Sequence, residues 1–62
     1  MRLDRKKYEI IRARACKGSK DIIEAGVSKG TLCRVISGVD VRPETIGKIA
    51  IALGVDVTEI IE

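Results

Sequence analysis

Histidine, tryptophan and phenylalanine are absent from this chain of 62 residues, and Tyr8 is its one aromatic side chain. Without histidine the commonest general base is missing, and no nucleophile stands beside a base in the sequence, so an enzyme is not expected. One ring offers no platform for stacking on single-stranded bases. Cysteine is nearly as scarce. Cys16 and Cys33 do not form a CxxC pair, and with no histidine beside them a four-ligand zinc site cannot be assembled. No metal or cofactor is expected, and two free thiols suit a cytoplasmic setting. Long apolar runs are missing as well. Every apolar stretch falls far short of the ~20 residues that span a bilayer, and Met1 is followed by charge, so neither a membrane span nor a signal peptide is expected.

What remains is aliphatic and charged. A chain this short buries only about 60% of the surface its unfolded form exposes, so residues 1–62 read as one domain with a core of Ile, Val, Leu and Ala. There is little room for an internal pocket. The formal charge of +3 is unevenly spread. Arg2, Arg5, Lys6, Lys7, Arg12, Arg14, Lys17 and Lys20 face only Asp4 and Glu9 in the first third of the chain, whereas Lys48 alone faces Glu44, Asp56, Glu59 and Glu62 at the other end. A basic side of this kind suits a polyanion, and equally suits a solvated charged helix.

The apolar spacing is helical throughout and nowhere alternates long enough to argue for a sheet. Asp4 is a plausible N-cap for a first helix reaching about Cys16, with Cys16 in the core and "KGS" as its stop. Ser19 is placed to cap a second helix through Ala25, and Gly26 supplies a tight turn. Ser28 then caps a third helix ending near Ser37. The segment "GVDVRP" reads as a loop, with Pro43 suited to the first turn of a fourth helix, where Ile46, Ile49, Ala50 and Leu53 form one apolar stripe. Asp56 and Glu59 have capping-box spacing for a fifth. The expected fold is all-α, a compact bundle of five short helices.

At about 100° per residue, Leu32 and Val35 project to one side of the third helix, with Val27 beside them. Lys29, Gly30, Cys33, Arg34 and Ser37 project to the other. A short helix that packs by one stripe and offers small or basic side chains on the opposite face fits a major groove about 12 Å wide.

The run "GVSKGTLCRVISG…RPETIGKIAIALGVDVTEII" resembles the helix-turn-helix domain of the Cro and phage-repressor family, over roughly residues 16–61. The turn "AGVS", "TL", "RVISG", "RP" and "KIAIALGV" followed by "TEII" carry the likeness, in order and at family spacing. The resemblance implies a lambda-repressor-like DNA-binding domain whose third helix, about residues 28–37, reads the major groove while the second crosses the backbone. By position, Ser28, Lys29 and Gly30 would open the recognition helix, with Thr31 near phosphate, Cys33 on the same outer surface and Arg34 one turn further on. Arg42 would meet the phosphate backbone.

The departures from the family pattern cluster just before the turn. A glutamine usually clamps a phosphate at the start of helix two; here Gly18 or Ser19 stands there, with Lys17 or Lys20 as substitute point charges. Ile22 occupies a position where alanine is usual, and Asp21 one where an apolar residue is usual. A shifted or shortened second helix is the expected result. Gly30, costly inside a helix, reads equally as close backbone approach to DNA or as a tolerated weakness. The implied partner is a double-stranded operator, bound by a homodimer through an apolar patch of Val39, Val41, Ile51 and Ile61. The alternative is a protein-interaction module of the same fold, antitoxin-like, with little DNA binding.

Overall fold

Asp4 starts the first helix by accepting the Lys7 backbone N–H at 3.1 Å. In the computed structural model, which describes residues 1–62, this helix is α1, Arg5–Ala15. Then come α2, Ser19–Glu24, α3, Lys29–Ile36, and α4, Pro43–Leu53; a single 3-10 turn, Val57–Glu59, follows. The domain is all-α, with no strand. α4 is the hub, packed against α1, α2 and the 3-10 turn, while α2 holds α3.

The core follows the apolar spacing. Tyr8 and Ile11 from α1, Ile22 from α2, Leu32 and Val35 from α3, and the α4 stripe Ile46, Ile49, Ala50 and Leu53 are all buried. Val27 joins them from the turn, and Leu3 and Ile60 close the cluster from the two ends of the chain. Each buried branched side chain contributes about 1.5–3 kcal/mol, which is how a chain with Tyr8 as its one aromatic holds together.

The expected fifth helix is only the 3-10 turn. Its capping box forms, with the Asp56 N–H donating to Glu59 and the Thr58 N–H to Asp56. Ile60 then leaves helical geometry, because the backbone beyond it finds a different partner. Leu3 and Ile61 form an antiparallel bridge, with the Asp4 N–H donating to the Ile60 carbonyl at 2.8 Å and the Glu62 N–H to the Arg2 carbonyl at 3.3 Å. On its other side the same N-terminal segment exchanges hydrogen bonds with Val41, in both directions at 2.8 Å.

Two further expectations are corrected around α2. Cys16 is exposed rather than in the core. It adopts the left-handed conformation at φ 53° as the C-cap of α1, so the chain turns there and swings the thiol outward. The N-cap of α2 is Gly18, not Ser19. The Gly18 N–H donates to the Asp21 carboxylate at 2.9 Å, which gives the Asp21 side chain a capping role. α2 is accordingly short, burying Ile22 completely and leaving Ile23 exposed. Gly26, at φ 107°, makes the turn into α3.

Candidate nucleic-acid interface

Ser28 fixes where α3 begins. Its hydroxyl oxygen accepts the Thr31 N–H at 3.2 Å, and its hydroxyl donates to Thr31 Oγ1 at 2.8 Å. The side chain of Ser28 is therefore occupied with capping, whereas the Thr31 hydroxyl keeps its own proton to donate. With Leu32 and Val35 buried, the helix is locked in rotation. Lys29, Gly30, Cys33, Arg34 and Ser37 are all exposed.

The first turn of α3 carries Lys29 and no carboxylate, and Lys20 lies in the first turn of α2. A helix N-terminus already bears about half a positive charge, so a cation there is locally unfavourable, by roughly 0.3–1 kcal/mol. At α3 the Lys29 cation is set against the dipole with no carboxylate in the turn, whereas at α2 Asp21 shares the first turn with Lys20. An anion lying across these turns would meet the dipole and the cation together.

Arg34 and Arg42 line one open groove of about 670 Å³ with Thr31, Thr45 and Pro43. Neither guanidinium is paired. The structure contains one ion pair, between the Met1 amine and Asp40, so every lysine and arginine side chain lacks an acidic partner. The amine also explains why Asp40, on the same groove, does not take up an arginine. It holds the Asp40 carboxyl below the usual carboxylate range, by hydrogen bond first and by charge second. Thr45, one turn into α4, is a groove residue that the sequence reading did not single out. Its only signal is its place two positions after Pro43.

Lys17 is exposed and also has a partner within the domain. Its Nζ donates to the Ala52 carbonyl in the last turn of α4, a position where a cation is favourable. Lys20 stays exposed at the start of α2. A Cβ built on Gly30 meets nothing within 4 Å, so internal packing does not require glycine there. Of the four apolar residues expected to form a patch, Val41 and Ile61 pack partly against the domain's own core, whereas Val39 and Ile51 are exposed.

Comparison with protein-family models, with curated proteins and with solved structures found no match. No helix is long and apolar enough to cross a membrane.

Proposed function

We propose that the chain is a double-stranded-DNA-binding domain of helix-turn-helix type, with α3 as the helix that enters the major groove. Within that class it reads as a sequence-specific transcriptional regulator, acting by occupying an operator and not by catalysis. The observation that carries the reading is the arrangement of α3. One face is locked by Leu32 and Val35, and the opposite face offers Lys29, Gly30, Cys33 and Arg34 to the exterior. Lys29 and Arg34 are the base-reading candidates, each pairing with guanine O6 and N7 for about 1–3 kcal/mol of discrimination.

Phosphate contacts fall to Thr31, Arg42 and Thr45 along the groove and to Lys20 at the start of α2. Gly30 leaves the helix flat where backbone and base edges would approach. The test is selection of bound sequences from a random duplex library. A recovered consensus supports the reading, and recovery of unenriched sequence contradicts it.

The competing reading, a protein-interaction module, draws on Ile51, which is 81% exposed on α4. Salt separates the two. A reader of duplex DNA that neutralises several phosphates loses affinity steeply as salt rises, with a log–log slope of about −0.9 per phosphate. A protein-binding module shows no such slope on random duplex.

A further inference from the structure

On the surface of a helix, residues three and four positions apart are neighbours, so Ile10 of α1 is ringed by Lys6, Lys7, Ala13 and Arg14. Ile10 is 51% exposed, on a helix whose other large apolar side chains, Tyr8 and Ile11, are buried. With Ile11, Lys7 and Glu59 it lines an open cleft of about 200 Å³ between α1 and the 3-10 turn. No acid answers the cations around it. Lys6, Lys7 and Arg14 take part in no ion pair. Lys7 Nζ reaches only the Ile61 carbonyl, at 3.4 Å, and the one carboxylate lining the cleft, Glu59, accepts the Asp56 backbone N–H at 3.0 Å as part of the capping box. Glu9, the one acid of α1, lies about 100° round the helix from Ile10.

We infer that this face of α1 docks an acidic segment of another protein, with one aliphatic side chain seated in the cleft on Ile10 and Ile11 and carboxylates on either side of it meeting Lys6, Lys7 and Arg14. The two parts of the patch together select the occupant. The apolar centre calls for an apolar side chain, whose burial supplies affinity. The cations at the rim supply steering and register. A duplex answers the cations alone, because its phosphates would lie against Ile10 with no apolar group to fill the cleft. A lipid surface binds in proportion to the apolar area inserted, and one isoleucine offers little. The cleft takes a single side chain, so the contact belongs to the small, transient class below about 1,200 Å². None of its residues is assigned to DNA, so docking needs neither Lys29 nor Arg34.

The probe is a library of random dodecapeptides displayed on phage, selected on the whole chain without DNA. The strongest sequence is then synthesised and titrated by fluorescence polarisation, with circular dichroism to verify that each variant is folded. Enriched peptides should carry Leu, Ile or Met flanked by Asp or Glu. Ile10→Ser should weaken the selected peptide by about 10-fold or more. The double reversal Lys6→Glu/Arg14→Glu should invert the preference, binding the same peptide with its acids changed to lysine better than the original. Arg34→Ala should leave the affinity unchanged, which keeps the result separate from the DNA-binding reading. Failure to enrich the acidic-aliphatic pattern, a peptide weakened by Arg34→Ala and not by Ile10→Ser, or a double reversal that keeps the original preference would each overturn the assignment. So would a random duplex, or vesicles of phosphatidylserine and phosphatidylcholine, whose binding falls as far in Ile10→Ser as the peptide's, since the face would then belong to nucleic acid or to lipid.

Discussion

Lys17 Nζ donates to the carbonyl oxygen of Ala52, pinning the segment after α1 to the last turn of α4. The contact gives a lysine from the basic end of the chain a structural role. It separates Lys17 from the cations left free toward solvent.

Lys17→Ala should therefore lower stability and spare binding. The loss of a cation and hydrogen-bond donor at a helix C-terminus costs about 0.3–1 kcal/mol, or about 2–8 °C in a domain this small. Thermal melts measure it. Lys20→Ala should behave in the opposite way, melting within a degree or so of the native chain and making the salt slope on duplex DNA shallower by about one phosphate.

Gly30→Ala should raise the melting temperature, because the added methyl meets no atom of the domain and alanine is better in a helix interior by roughly 1 kcal/mol. The same change should weaken binding to a selected duplex, since it places a methyl on the reading face. A more stable variant with native affinity would show that the flat surface at Gly30 has nothing to do with DNA.

Tyr8 is fully buried, and its hydroxyl has no hydrogen-bond partner. Arg12 lies over its ring, 5.5 Å from the centroid, an interaction that phenylalanine retains. Tyr8→Phe should leave stability unchanged or raise it by up to about 1 kcal/mol, because an unpaired buried polar group is a cost. A clear drop in melting temperature would mean that the hydroxyl is satisfied by bound water.

Asp56 begins the 3-10 turn, and its carboxyl is held below the usual range chiefly by the Thr58 backbone N–H and next by the Thr58 hydroxyl. A carboxylate lowered on folding contributes stability that is present above its unfolded value and is lost as pH falls through the folded one. The native chain should thus lose stability below about pH 4, and Asp56→Asn should show a shallower decline over that range when melts are recorded against pH.

The helices legible in the sequence were those with a cap and a stripe. Asp4, Ser28 and Pro43 each start a helix at the residue their chemistry dictates, and Ile46, Ile49, Ala50 and Leu53 are buried as their spacing requires. Less legible was whatever depends on contacts remote in sequence. The bridge between Leu3 and Ile61 ends the helical path that Asp56 and Glu59 begin, and no local pattern announces it. Cys16 looked apolar enough for the core, but the left-handed cap turns it outward. At the candidate interface, the outward face of α3 was legible from period alone, whereas the groove shared by Arg34, Arg42 and Thr45 needed the fold to bring α3 and the start of α4 together.

Binding of Arg34→Ala, measured side by side on a selected duplex and on random duplex at one salt concentration, tests the central claim that α3 reads bases. Loss of about 1–3 kcal/mol on the selected site, roughly 5- to 150-fold in affinity, with only a few-fold loss on random duplex, is the predicted result. Equal loss on both would make Arg34 a phosphate contact only, and no loss on either would contradict the assignment of α3 as the reading helix.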